Sequence, residues 1–164
     1  MGLFLLAAQP LLAQDQSQTT VAFTVTGKVK SEKTFSVSQL QQFPAVSLKN
    51  INTSCSPKKE DIVKSVKGVL LKNILDSVAF QYEKPRMLNQ YYFLFVAADG
   101  YKVVFSFNEI YNTEIGNNLY IVTEMDGKSM ELMESRIMLL TTKDIRSGTR
   151  NMKWLSKIVV CSAE

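Results

Sequence analysis

The alternation of apolar and polar positions predicts a chain built mainly from β-strands. Val21, Phe23 and Val25 alternate with polar or small residues up to Gly27, which is the pattern of a strand with one buried face. Similar apolar patterns predict strands over 45–51, 61–66, 119–124, 137–140 and 155–160.

The strongest local signal is an Asp-Gly pair between two apolar runs. Asp99-Gly100 separates residues 91–98 from 101–105, and this arrangement predicts a central β-hairpin. Asp126-Gly127 predicts a further turn after the strand over 119–124.

Two segments have helical patterns. Residues 34–43 begin near the candidate cap Ser36 and stop before Pro44, and residues 69–78 carry apolar side chains at helical spacing. Ser106 is expected to cap a short turn through Glu109. Residues 81–90 are expected to form a loop, and residues 141–151 a loop or a helical turn. Strands with two or three short helices, not in strict alternation, predict an α+β fold of mostly β mixed sheets.

The composition excludes several classes of enzyme. The chain contains no histidine and only two cysteines, Cys55 and Cys161. Histidine-based nucleophilic catalysis, histidine-ligated metals, four-thiolate zinc sites and iron–sulfur clusters are therefore excluded.

The charge does not indicate nucleic-acid binding. The net charge is +4, but 19 basic residues are spread among 15 acidic ones. Nucleic-acid binding needs a concentrated basic face, so no nucleic-acid partner is expected.

The N-terminus resembles a secretory signal peptide. Residues 3–8 are apolar, and residues 11–13 lead into a polar run, so we expect a signal peptide over 1–13, a polar spacer over 14–20 and a single domain over 21–161. The alternative is a short helix docked on the domain. The apolar run is too short to span a bilayer. We expect an exported protein, periplasmic or secreted, in which Cys55 and Cys161 could form a disulfide.

A basic loop precedes the last predicted strand. Lys143, Arg146, Arg150 and Lys153 surround Ser147-Gly148-Thr149. Such a loop can bind an anion through cations, hydroxyls and backbone N–H groups. The alternative is a solvated loop with Trp154 in the core.

The order of several motifs resembles the oxidoreductase molybdopterin-binding domain of the sulfite oxidase type. These motifs are Gly68-Val69-Leu70-Leu71, Asp99-Gly100-Tyr101, Asp126-Gly127-Lys128 and Lys153-Trp154-Leu155. The resemblance covers about residues 21–160 and implies a domain that binds the molybdenum pterin cofactor.

The resemblance also implies a site. It assigns cofactor binding to Asp99, Tyr101, Arg136, Arg150 and Lys153, and metal ligation to Cys55. Members of the family carry the ligand cysteine in a Cys-x-Gly context, whereas Cys55 is followed by Ser56 and Pro57.

These observations favour an exported, molybdopterin-binding-domain-like protein that binds a ligand or partner without intact molybdenum catalysis. A small anionic or pterin-like ligand is expected. Binding of the molybdenum cofactor and binding of no cofactor at all are equally plausible, and no protein partner is identified. The alternative is a periplasmic molybdopterin-dependent oxidoreductase in which Cys55 ligates the metal. No catalytic residue is assigned.

Overall fold

A computed structural model describes residues 19–54, 61–145 and 148–163. The strands in these residues are β1 (Ala22–Gly27), β2 (Lys33–Ser36), β3 (Ala45–Asn52), β4 (Ile62–Leu70), β5 (Tyr91–Ala97), β6 (Lys102–Ser106), β7 (Leu119–Met125), β8 (Lys128–Ser129), β9 (Met138–Thr141) and β10 (Leu155–Ser162). The α-helices are α1 (Val37–Leu40), α2 (Leu71–Leu75) and α3 (Phe107–Tyr111), and 3₁₀ helices span Pro85–Gln90, Gly116–Asn118 and Met130–Leu132.

The strands form two five-stranded sheets. Sheet I has the order β2-β1-β10-β5-β6. Sheet II has the order β3-β4-β7-β8, with β9 also paired to β7. The β1–β10 pair is parallel and the other strand pairs are antiparallel. Mixed sheets with a few short helices confirm the α+β prediction.

The main core joins both sheets. Phe23, Phe93, Phe95 and Phe105 of sheet I are buried together with residues of sheet II and α2. Ring pairs add directional contacts; for example, Phe95 and Phe105 pack edge to face with centroids 5.4 Å apart. A second, smaller cluster lies on sheet II and contains Val66, Val122, Met133, Met138 and Leu140.

Both predicted serine caps are present. The Ser36 side chain accepts a hydrogen bond from the Gln39 N–H at the start of α1, and the Gln39 side chain accepts one from the Ser36 N–H. Ser106 and Glu109 form the same reciprocal pair at α3. Each capping box satisfies two otherwise unpaired donors.

The two predicted helices are shorter than the sequence pattern indicates. Residues 33–36 form β2, because pairing with β1 buries Phe35 beside Phe23. Val69 and Leu70 end β4 and pair with β7, so α2 begins only at Leu71. Tertiary pairing therefore overrides local helical spacing at both places. The predicted 81–90 loop contains the 3₁₀ helix Pro85–Gln90.

The two Asp-Gly turns differ in conformation. Asp126 and Gly127 both have positive φ, at 47° and 79°, which is the pattern of a two-residue type I′ turn. In the β5–β6 hairpin only Gly100 has positive φ, at 86°. The Gly100 N–H donates to the Ala97 carbonyl, and the Ala97 N–H donates to Tyr101. This hairpin therefore has a three-residue loop, not the two-residue turn expected.

Residues 1–18 lie outside the described residues. The signal peptide over 1–13 and the boundaries of the spacer and domain stay predictions. No helix in the described part of the chain is long and apolar enough to cross a membrane.

Gly27 and Gly100 allow a matched test of packing against backbone strain. Both have φ near +90°, but a Cβ on Gly27 would lie 2.3 Å from the Val160 carbonyl oxygen, whereas a Cβ on Gly100 would meet nothing within 4 Å. We expect Gly100→Ala to cost about 1 kcal/mol from the left-handed conformation alone. Gly27→Ala should cost at least about 3 kcal/mol, because the clash adds to the strain. Equal losses in chemical unfolding would contradict this account.

Candidate functional site

A cleft of about 490 Å³ lies beside the segment that leads into β10. Its walls are formed by residues that follow β3, by the start of β4, by β7 and β9, and by residues 148–153. Its lining residues are Thr53, Ser54, Asp61, Val63, Met125, Ser135, Met138, Gly148, Asn151, Met152 and Lys153. A second depression of about 410 Å³ shares Met125, Ser135 and Lys153 with this cleft.

The cleft combines apolar and polar lining groups. The apolar part is supplied by Val63 and three methionines, whose flexible thioether side chains adapt to different ligand shapes. The polar residues of the lining include Lys153, Asp61 and Asn151. An apolar pocket with a few polar groups is the usual form of a small-molecule site.

A close backbone approach connects two walls of the cleft. Gly148 has φ +88°, and a Cβ at this position would lie 2.5 Å from the Ser54 carbonyl oxygen. Only glycine satisfies both the left-handed backbone and the short separation. Ser54, the residue before Cys55 in the sequence, is therefore packed directly against the basic loop.

Asn151 has a fixed orientation and an unused donor. Its Oδ1 accepts a hydrogen bond of 2.9 Å from the Thr141 N–H. Its Nδ2 is buried and has no hydrogen-bond partner among the described residues, and the same holds for the Thr141 hydroxyl. Buried polar groups without partners are uncommon and often mark the place of a water or ligand.

Arg150 forms an ion-pair cluster with Asp144 and Glu109. Its Nε lies 2.8 Å from Asp144 Oδ2, its Nη2 also donates to Asp144, and its Nη1 lies 2.8 Å from Glu109 Oε1. The guanidinium carbon lies 4.1 Å from the centre of the Phe105 ring. Two carboxylates and an aromatic face therefore hold Arg150 against α3 and β6.

The cluster shifts the ionisation of its members. The hydrogen bond to Asp144 is the main cause of a raised pKa for Arg150. Burial by itself raises the pKa of Glu109, but hydrogen bonds from the Ser106 N–H and Arg150 outweigh it, so the pKa of Glu109 is lowered. The charged forms are thus stabilised on both sides of the ion pair.

The β5–β6 hairpin contacts the basic loop from its other side. The Tyr101 hydroxyl donates a 2.7 Å hydrogen bond to the Thr149 carbonyl. The Asp99 carboxylate accepts a 2.9 Å hydrogen bond from the Tyr101 N–H. Asp99 and Tyr101 therefore support the loop, and neither lines the cleft.

Arg136 and Lys153 have different surroundings. Arg136 Nη2 donates to the Glu131 carbonyl, and its buried Nε has no partner among the described residues. Arg136 does not line the cleft, although Ser135 does. Lys153 lines the cleft, its ammonium 6.0 Å from the Trp154 ring centre, and no ion pair to it occurs in the described part of the chain.

The Trp154 side chain is half-buried, so it does not fill the core as one interpretation of the basic loop required. Its backbone has a positive φ of 55°. Its Nε1 donates a 2.6 Å hydrogen bond to the Glu134 carbonyl. This bond ties the start of β10 to the segment that precedes β9.

The cysteine predictions remain open. Cys55 lies outside the described residues, so its metal ligation and its pairing with Cys161 stay predictions. Cys161 lies in β10, and its sulfur lies 3.8 Å from the Val159 carbonyl oxygen. Within residues 19–54, 61–145 and 148–163, no group of three or more acidic or cysteine side chains could hold a metal ion.

Comparison with known proteins identifies the family. A profile of the oxidoreductase molybdopterin binding domain matches residues 10–164. The chain belongs to the oxidoreductase molybdopterin-binding domain family. None of the curated proteins matches it significantly.

A solved structure shares the fold. The sulfane dehydrogenase SoxCD from Paracoccus pantotrophus aligns with a TM-score of 0.59 and 13% sequence identity. The alignment covers 87% of this chain and 38% of the SoxCD chain. This molybdopterin-binding-type domain therefore spans well under half of that larger chain.

The described residues fit the molybdenum pterin cofactor poorly. Of the cations that the family resemblance assigned to cofactor binding, Arg150 is already bound by two carboxylates, and only Lys153 lines the cleft.

Sequence reasoning missed five polar residues of the cleft: Thr53, Ser54, Asp61, Ser135 and Asn151. Asn151 could have been found from the sequence, because it lies between Arg150 and Lys153, which were both candidate binding residues. Ser54 and Asp61 offered no such signal, because their position depends on the pairing of β3 with β4.

The ion-pair cluster can be tested by removing its cation. We expect Arg150→Met to lower the free energy of unfolding by about 2–3 kcal/mol, because it leaves the nearly buried Asp144 without a partner. Lys67→Ala provides the control, since the Lys67–Glu124 pair is exposed and should contribute below about 1 kcal/mol. Similar losses for both variants in urea unfolding would show that the cluster has no special structural role.

The lowered pKa of Glu109 predicts an acid-sensitive contribution to stability. This contribution is complete above the unfolded-state pKa of about 4.3 and is lost as the pH falls through the lower folded-state pKa. We expect the stability of Glu109→Gln to fall less steeply with acid below about pH 4 than that of the wild type. Urea unfolding midpoints across this range measure the difference, and parallel profiles would be inconsistent with it.

Proposed function

We propose that the chain is an exported small-molecule-binding domain that has kept the molybdopterin-binding fold without intact molybdenum catalysis. The cleft is the proposed binding site, and a small anionic or pterin-like molecule is the proposed ligand. The observation that carries this proposal is the difference in ion pairing between Arg150 and Lys153. The charged guanidinium of Arg150 is paired with two carboxylates of the protein, whereas Lys153 lines the cleft without an ion pair among the described residues.

The lining of the cleft suits a flat ring with polar edges. Val63, Met125 and Met138 supply apolar surface for the ring. The Lys153 ammonium can bind an anionic substituent, and the Asp61 carboxylate can accept hydrogen bonds from ring amino groups. The volume of about 490 Å³ lies within the range of small-molecule sites.

Loss of catalysis is supported by the side chains that this chain lacks or uses elsewhere. The sequence contains no histidine for proton transfer. Arg150 is fixed by Asp144 and Glu109, so moving it to a ligand would leave the nearly buried Asp144 without its cation. Export is supported by the apolar run over 3–8 and the polar spacer that follows.

A molybdopterin-dependent oxidoreductase is the second candidate. One observation favours it: Ser54 lines the cleft and immediately precedes Cys55, the cysteine that the resemblance assigns to the metal. When bound, the cofactor would supply two-electron redox chemistry. The residues of this chain would then only bind and orient it, with Lys153 on an anionic group.

The deciding experiment is metal analysis of protein purified from its own host or from a cofactor-competent host. We expect no stoichiometric molybdenum and no pterin fluorescence, with Cys55→Ser folding like the wild type. Near-stoichiometric molybdenum that disappears in Cys55→Ser would establish the oxidoreductase and overturn the proposal.

Ligand binding can be tested with pterin-6-carboxylate, an anionic fluorescent pterin. We expect binding by the wild type and about tenfold weaker binding by Lys153→Ala, because a hydrogen bond to a charged group is lost. Lys84→Ala removes an exposed lysine outside the cleft and should leave the affinity unchanged. Fluorescence titration measures both, and equal weakening in the two variants would argue against this site.

A further inference from the structure

Sheet I has an outer face that points away from the main core. Its centre is a row formed by the cross-strand partners Val104, Leu94, Val159 and Thr26. The next row on one side contains Ser106, Tyr92 and Cys161. The next row on the other side contains Lys102, Val96, Lys157 and Thr24.

The apolar residues of this outer face lie outside the protein's core. Leu94, Val96, Val104 and Val159 belong to neither core cluster, although their neighbours Phe93, Phe95 and Phe105 are fully buried on the opposite side. Val104 is 49% exposed, and Leu94, Val96 and Val159 are half-buried. A flat apolar row across several strands is unusual for a surface exposed to water and indicates a contact surface.

The charges on the outer face are of one sign. Lys102 and Lys157 lie at one end of it, and the outward positions of the five strands include no acidic residue. The opposite end carries Ser106, Tyr92 and Cys161, which are neutral or weakly polar. The face is therefore asymmetric along the strand direction.

We propose that this face packs against the same face of a second copy of the chain. The two-fold axis would lie in the interface along the central row, so that Val159 faces the partner's Val159 and Leu94 faces the partner's Leu94. This arrangement is isologous and closes as a dimer. The sheets would pack face to face at about 10 Å, as in a β-sandwich.

The charge distribution fits this arrangement. A rotation about the central row brings each lysine row opposite the neutral row of the other copy. Lys157 then faces the partner's Cys161, and Lys102 faces the partner's Ser106. The four lysines do not meet, so the apolar row can be buried without juxtaposing like charges.

The area of the face indicates how strongly the two copies should associate. Five strands about 4.8 Å apart and about 20 Å long give a face of about 500 Å². Two copies would bury about 1,000 Å² in total, which is the lower limit for a specific interface. We therefore expect a reversible dimer whose population depends on protein concentration.

Sedimentation velocity over a concentration series tests the proposal. We expect wild-type protein to shift from monomer towards dimer as the concentration rises. Val159→Lys should weaken dimerisation at least tenfold, because it places two ammonium groups opposite each other at the axis. Val46→Lys is the matched control, since Val46 is a 41% exposed valine on β3 of sheet II, and it should dimerise like the wild type.

Labelling of Cys161 gives an independent measurement. Peptide mapping after alkylation should show slower labelling of Cys161 at high protein concentration in the wild type, but not in Val159→Lys. A protein that stays monomeric at all concentrations would overturn the proposal, as would a dimer that Val159→Lys leaves intact. A third outcome would also overturn it. If Cys161 is protected in a monomer that keeps residues 1–13, and this protection is lost in a chain that begins at Gln14, then residues 1–13 cover the face in place of a second copy.

Discussion

The insertion of β10 between β1 and β5 is the interaction on which the rest of the structure depends. It joins the beginning, middle and end of the chain in one sheet, through parallel pairing with β1 and antiparallel pairing with β5. The side chains of Ile158 and Val160 enter the main core from this strand. Because β10 follows directly on the loop that contains Asn151 and Lys153, its position also fixes one wall of the cleft.

The same loop shows why a cluster of basic residues is not by itself an anion site. The guanidinium of Arg150 is bound by Asp144, six residues earlier, and by Glu109 at the start of α3. These contacts hold the loop against sheet I and use the charge that an anion would need. Tyr101 adds a hydrogen bond to the same loop. Arg150 and Lys153 therefore differ in role, although they are only three positions apart. Arg150 holds the loop that forms one wall of the cleft, and Lys153 lines the cleft itself.

Local signals in the sequence predicted the fold well where the relevant physics is local. The Ser36 and Ser106 caps depend on residues three positions apart, and the Asp-Gly turns depend on backbone conformations that glycine favours. The helix predicted over 69–78 was too long because Val69 pairs with Ile121, more than fifty residues away. Helical spacing within the segment contains no information about such a distant partner, so the predicted start of that helix was wrong.

The candidate site could be predicted only in part, for the same reason. Lys153 was identified from its neighbours in the chain, but the carboxylate of Glu109 reaches Arg150 across 41 positions, which no local pattern indicates. Ser54 and Gly148 meet at a separation that excludes a Cβ. This contact puts the residue before Cys55 beside the loop whether or not Cys55 ligates a metal. The fold can thus form a cleft while charged side chains beside it are used for structure, so the fold alone does not establish the chemistry.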